Sequence, residues 1–322
     1  MSNHLFSADN HLLALARMGK RAFAQGTAAK LYPLIALIYS VATIALTLIG
    51  AAVMIVVILL IAGRMPTNPA TLQLPPLLPD PTLNQTLMLL IAFAPIYVCV
   101  GAWLWLIEKR PWWTLGFERQ GFAWKYARGA LLGLVMFSLS VGLFAAMGYV
   151  AFEESHQPTG LMFLGGILIV LVGWTVQGAA EEVLTRGFLL PVISVRYGVV
   201  AGIALSSLLF TALHLLNANL SWLALLNLFL FGVFASLYAL QEGGLWGVCA
   251  LHGVWNWAQG NLYGLAVSGG DAHTATLINL KEVGPDWLTG GAFGPEGGLA
   301  VTLVLVVGCA VIGWMNRRGA QP

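Results

Sequence analysis

Four polar side chains interrupt apolar stretches in the second half of this 322-residue chain: Glu181, His214, His252 and Asn256. Glu182 and Arg186 stand beside the first, and Phe210 precedes His214 by four residues. Ionisable groups inside long apolar segments are costly, so they mark either a buried partner pair or a working site. Helix geometry separates the two cases. Residues four apart share a face, and adjacent residues point about 100° apart. Glu182 and Arg186 can therefore pair along one helix as a structural couple. Glu181 points elsewhere and lacks that partner, which suits it to act as a general base. Phe210 and His214 share a face, as do His252 and Asn256, so two pairs of side chains are aimed together inside apolar segments.

These residues need a scaffold, and composition says what kind. Hydrophobic residues make up 59% of the chain and charged residues 9%, against about 25% charged in soluble domains. The mean hydropathy is +0.83. The net charge of +2 gives no reason to expect nucleic-acid binding. Cys99, Cys249 and Cys309 are far apart in apolar stretches, with neither zinc nor disulfide spacing, and are expected to be packing residues. A span needs about 20 mainly apolar residues. Such stretches fall at roughly 33–63, 86–107, 127–151, 161–190, 199–216, 220–240, 245–267 and 297–315. Backbone groups in hydrocarbon must be paired, so these are expected to be helices, and the alternation of a membrane barrel is absent. The fold class expected is all-α: a polytopic membrane bundle of about eight transmembrane helices.

Charge sorts the connections. Arg17, Lys20, Arg21 and Lys30 precede the first span, and Lys109, Arg110, Arg119, Lys125 and Arg128 fill the second connection. Arg186 and Arg196 flank the fourth, and Arg317 and Arg318 follow the last span. The odd-numbered connections hold only Arg64 and Lys281, beside Asp80, Glu153, Glu154, Asp271, Glu282, Asp286 and Glu296. The positive-inside rule then places both termini in the cytoplasm of a multi-pass protein of the cell (inner or plasma) membrane. The organisation expected is a cytoplasmic or interfacial segment at 1–30, N-terminal spans and loops at 31–160, a catalytic core at 161–267, an extracytoplasmic loop at 268–296, and a last span and tail at 297–322. Leu5, Leu12, Leu13, Leu15 and Ala16 form one apolar face, expected to lie in the interface. Pro66, Pro69, Pro75, Pro76, Pro79 and Pro81 predict an irregular first external loop. Trp112, Trp113, Trp222 and Trp246 fall near span ends, as interfacial anchors do.

Depth tests whether the polar set can meet. At about 1.5 Å per residue from the expected cytoplasmic ends, Glu181 lies roughly 13 Å in, His252 roughly 10 Å and Asn256 roughly 16 Å. His214 lies roughly 22 Å in, so a tilt or turn around Pro191–Gly198 must bring it level.

The ordered set Glu181-Glu182-Val-Leu-Thr-Arg186-Gly187, Phe210-Thr-Ala-Leu-His214, and Gly244-Leu245-Trp246 leading to His252-Gly-Val-Trp-Asn256 resembles the signature of the CPBP family. That family groups CAAX-processing endopeptidases with lysostaphin-resistance and bacteriocin-immunity proteins, and the likeness spans roughly residues 165–265. It implies a helical intramembrane fold with a cavity open to the cytosol. It implies that Glu181, helped by His214, activates water, and that His252 and Asn256 stabilise the oxyanion, with Phe210 supporting. Metal involvement is unsettled for the family. Glu181, His214 and His252 would be the zinc ligands if there were one, but the compact His-Glu-x-x-His helix is absent, so no required cofactor is expected. The partners expected are membrane lipid and a peptide or lipidated protein substrate. A non-catalytic immunity or scaffold protein, binding a peptide or lipid in the same cavity, is the alternative. An ion-coupled transporter is disfavoured by the absence of repeats.

Overall fold

The computed structural model describes residues 5–19, 27–64, 75–153, 161–270 and 274–319. Lys20, Arg21, Pro66, Pro69, Glu154 and Asp271 lie outside the described residues.

The chain is nearly all helix. A short α1 (His11–Ala16) precedes α2 (Thr27–Ile61) and α3 (Pro81–Trp103), and a π turn over Leu104–Glu108 extends α3. Then come α4 (Phe122–Ala145) and α5 (Leu161–Glu182), which passes through a π segment at Val183–Leu189 into α6 (Leu190–Tyr197). α7 (Val199–Leu213), α8 (Trp222–Glu242) and α9 (Trp246–Trp257) follow, with a π turn at Ala258–Leu262. After the one-turn α10 (Asp286–Thr289), α11 (Leu299–Gly319) closes the bundle. Among the described residues, six helices are long and apolar enough to cross a membrane, and α7 is a shorter apolar one. The chain is therefore a multi-pass membrane protein, with α7 and α9 as the short members of the eight apolar segments.

Three local features depart from the sequence reading. The segment expected at 161–190 runs on to Tyr197. Pro191 has no N–H to give the carbonyl one turn earlier, and the helix widens into the π segment just before it. β1 (Val150–Phe152) pairs antiparallel with β2 (Leu280–Glu282), tying two loops together where no strand was expected. The apolar face expected to lie in the interface is buried against protein rather than lipid: Leu12 and Leu13 of α1, and Leu5 ahead of it, join the main core, all fully buried. Asn10 caps α1 by accepting from Leu12 N and also donates through Nδ2 to Leu240 O at 3.0 Å.

Helix ends follow ordinary rules. Asp80 caps α3, with its side chain accepting from Leu83 N at 2.8 Å ahead of Pro81. Ser221 caps α8 in the same way. Gly243, at φ 70°, terminates α8 in the left-handed conformation and starts the turn into α9.

The two ends of the bundle are distinguishable by their contacts. At one, Tyr197 Oη donates to Lys30 O (3.2 Å), Leu5 N donates to Asn316 Oδ1 (3.2 Å), and His11 meets Glu118 (2.6 Å). This end gathers Lys109, Arg110, Arg119, Lys125, Arg317 and Arg318. The β1–β2 pair and the loops around 215–220 and 263–298 form the other, which holds Glu153, Glu282, Asp286 and Glu296. We call them the basic and acidic ends.

Small residues set the close packing that positions the site. A Cβ on Gly129 would lie 1.9 Å from Gly247 O, and one on Gly133 2.3 Å from Leu251 O, so α4 and α9 touch backbone to backbone. α5 and α9 do the same: a Cβ on Gly178 would come within 2.7 Å of Gly253 N, and one on Gly253 within 2.9 Å of Thr175 Cα. That contact brings the Glu181–Glu182 turn of α5 against His252.

Candidate functional site

Glu181 and Glu182 occupy the last turn of α5 before the π segment. Thr185 Oγ1 donates to Glu181 O at 2.5 Å, closing that turn. The expected pair forms: Arg186 Nη1 donates to Glu182 Oε1 at 2.9 Å, with both side chains fully buried. Arg186 Nη2 donates to Gly232 O at 3.0 Å, and its guanidinium stacks over Phe210 at 4.6 Å. Phe210 thus cements Arg186 from α7 while also packing on His214 and His252.

Glu182 does more than pair with Arg186. Its Oε1 also accepts from His252 Nδ1 at 2.9 Å. This bond fixes the ring and turns Nε2 toward Glu181 Oε2, 3.7 Å away. Glu182 is therefore a positioning residue for the site as well as half of an ion pair. Spacing alone reveals the i,i+4 partner but not one delivered by a helix 70 residues later.

Glu181 Oε2 has no hydrogen-bond partner, although it is buried. Glu181 also lines a cavity of about 420 Å³. Gln177, His214 and Asn256 line the same cavity, as do the apolar side chains of Ile44 and Leu48 on α2 and Leu89, Phe93 and Ile96 on α3. His214, the C-cap of α7, donates through Nδ1 to Phe210 O at 2.9 Å, which leaves Nε2 free to accept. Asn256 donates through Nδ2 to Gln177 Oε1 at 2.7 Å. A second cavity of about 20 Å³, room for about one water, lies between His214, His252, Asn256 and Trp255.

The expected depths change in the structure. Because the helix begun by α5 continues to Tyr197, Glu181 lies 16 residues from its basic end, roughly 24 Å along the axis, against roughly 22 Å for His214. α9 starts beside Gly187 rather than at that end, so His252 reaches Glu181 from a shorter helix. The intervening turn was not what levelled them; the longer helix was.

Gln177 is the member that sequence reasoning missed. Its signal was present: it precedes Glu181 by four residues on the same face of an apolar helix. Among the described residues, no group of three His, Cys, Asp or Glu side chains that could hold a metal ion is found.

The arrangement is that of a multi-pass membrane protein with a carboxylate, two imidazoles and an amide converging inside the bundle. Residues 163–258 match the family model described as Type II CAAX prenyl endopeptidase Rce1-like. The matched segment takes in α5, α6, α7, α8 and α9, less than a third of the chain, and contains Gln177, Glu181, Glu182, Arg186, Phe210, His214, His252 and Asn256, but not the cavity walls given by α2 and α3. It agrees with the CPBP resemblance carried by the sequence motifs. No curated protein and no solved structure matches the chain.

Proposed function

We propose that the chain is an intramembrane endopeptidase of the CAAX-protease type, cleaving near the C-terminus of a membrane-associated or lipidated protein. The observation that carries this reading is Glu181, which lines a cavity of about 420 Å³ and has one buried oxygen without a hydrogen-bond partner, 3.7 Å from Nε2 of an oriented histidine. A carboxylate with a free lone pair suits the general base that takes a proton from attacking water.

In this mechanism Glu181 deprotonates the water, and the free Nε2 of His214 holds it in line. Attack on the scissile carbonyl puts charge on its oxygen, where His252 and Asn256 are the donors. Donation by His252 Nε2 requires the doubly protonated ring, since Nδ1 is committed to Glu182. Asn256 is held by Gln177 and offers the other hydrogen of its amide. No step uses a metal. The protein resides in the cell membrane with both termini cytoplasmic, in line with the basic end.

The test is cleavage of a lipidated C-terminal peptide library by purified protein, with and without chelator, beside Glu181→Ala. Expected is cleavage that survives the chelator and is lost in the variant. Equal cleavage by Glu181→Ala removes the assignment, and loss on chelation alone replaces the water-activation scheme with a metal-dependent one. Binding of peptide without cleavage by the wild type would favour the scaffold reading.

A further inference from the structure

The smaller of the two cavities has a wall of its own. His214, Asn256 and Ser268 line both cavities, and beyond them the two linings share no residue. The larger cavity is walled by α2, α3 and α5. The smaller is completed by α8, α9 and α11, through Leu228, Phe231, His252, Trp255, Val301 and Leu305. Asn227 fixes that wall. Its Nδ2 donates to Glu296 O (2.8 Å) and Gly298 O (2.9 Å), and its Oδ1 accepts from Thr302 Oγ1 (2.6 Å). α8, the turn at Pro295–Gly297 and α11 are thereby held together.

At about 20 Å³ this cavity has room for about one water. A buried water takes about two to four polar partners, and the bonding capacity left on this wall meets that number. His214 Nε2 is free to accept, because Nδ1 donates to Phe210 O. Asn256 keeps one amide hydrogen and its Oδ1 after donating to Gln177 Oε1. His252 Nε2 stands 3.7 Å from Glu181 Oε2, beyond hydrogen-bond reach, so it too has a bond to offer. The larger cavity differs: along α2 and α3 it is lined by Ile44, Leu48, Leu89, Phe93 and Ile96, whose side chains offer water nothing.

Peptide cleavage consumes one water at each turnover. The water oxygen bonds to the scissile carbonyl carbon as the C–N bond breaks; one proton passes through Glu181 to the leaving nitrogen, and the other stays on the new carboxyl group. A polypeptide lying in the larger cavity displaces water from it, and the surrounding hydrocarbon supplies none. We propose that the smaller cavity is a water-binding site, which keeps the hydrolytic water beside the base while substrate fills the larger one. The water waits between His214, His252 and Asn256. Arrival of the scissile oxygen takes the His252 and Asn256 donors, and the water passes His214 to reach Glu181. This role rests on the endopeptidase reading above; the water site itself does not.

Val301→Ile tests it by adding a methylene to the wall from α11, at a residue that takes no part in the chemistry. Leu228→Phe fills the cavity from α8 and serves if Val301→Ile does not fold. Variant and wild type are assayed on a lipidated C-terminal peptide that fills the larger cavity, and on a truncated one that leaves part of it open. On the long peptide the variant should show a kcat at least about tenfold below wild type with KM nearly unchanged. On the truncated peptide it should match wild type, because water can enter beside the substrate. Wild-type turnover of the long peptide by the variant overturns the proposal. So does an equal loss on both peptides, which is what a distorted scaffold gives. A high-resolution crystal structure is the second arm. An ordered water bonded to His214 and Asn256 is expected in the wild type and displaced in Val301→Ile; a wild type without it overturns the proposal. If the water is there and the wild type cuts neither peptide, the water site stands and the endopeptidase reading fails.

Discussion

Two clusters of buried charge sit in this bundle, and only one of them faces open space. Near the basic end, Glu108 is fully buried and both its oxygens are engaged: Oε1 accepts from Tyr32 Oη (2.5 Å) and Trp103 Nε1 (3.3 Å), and Oε2 accepts from Arg110. Arg110 continues to Thr114 through two further bonds of 3.0 and 3.1 Å. Neither cavity described above reaches this cluster. In the middle of the bundle, Glu182, Arg186 and His252 form a comparable buried network, beside which Glu181, with one oxygen unpaired, lines the cavity; Glu182 Oε2, Arg186 Nε and Arg110 Nη2 are unpaired as well. Burial of a carboxylate therefore does not distinguish structure from chemistry. A place on the wall of accessible volume does.

The comparison is broken most sharply by removing one carboxylate from each cluster. Glu181→Gln should lower the cleavage rate by about 10²–10⁴-fold, the usual share of a general base, and leave thermal unfolding in detergent close to wild type. Glu108→Ala should do the reverse: breaking a buried pair costs about 3–5 kcal/mol of stability, while the protein that remains folded cleaves at the wild-type rate per active molecule. If Glu108→Ala abolishes turnover in folded protein, the division between the clusters is wrong.

Glu182 joins the two kinds of role. Glu182→Gln removes the counter-charge of Arg186 and the anchor of His252 together, so rate and melting temperature should both fall. A variant that loses only stability would show that His252 needs no orientation. Smaller still is Gln177→Ala, which frees the Asn256 amide. The loss of one hydrogen bond worth about 1 kcal/mol predicts a drop in kcat of about fivefold with KM nearly unchanged. An unchanged kcat would remove Asn256 from the oxyanion assignment.

The smallest effect lies outside the membrane. Burial pushes the Glu282 carboxyl up to about 7, although Gly291 N donates to it. A carboxyl raised in the folded state holds its proton longer than in the unfolded chain, so stability here rises as pH falls through 7 toward the ordinary value near 4.5. Hydrogen exchange over 280–291 should slow across that window in wild type, after correction for intrinsic rates, and lose that dependence in Glu282→Gln.

Much of the site was readable because polar residues are rare in apolar spans, so Glu181, His214, His252 and Asn256 stood out against their background. The Glu182–Arg186 pair followed from spacing alone. What escaped required tertiary contact. The bond from His252 to Glu182 depends on α9 reaching α5, and a spacing argument within one helix cannot supply it. The seat of α1 escaped for a different reason: lipid and a protein core are equally apolar, so the face carrying Leu12 and Leu13 looks the same for either partner. Arg110 was counted among the charges of a basic connection, but it is buried against Glu108. The π segment after Glu182 left no periodic signature, yet it allows the helix to continue past Pro191 and brings Glu181 level with His214.

The meeting of Gly178 with Gly253 has a mechanical meaning. At that crossing between the helix that carries Glu181 and the one that carries His252, no side chain serves as a compressible spacer; main chain rests on main chain. The gap between base and imidazole is consequently a fixed dimension of the scaffold, insensitive to how the surrounding apolar residues repack or to which lipid surrounds them. A single methyl group introduced at that junction would act as a shim, widening the reactive gap while leaving every polar group of the site in place.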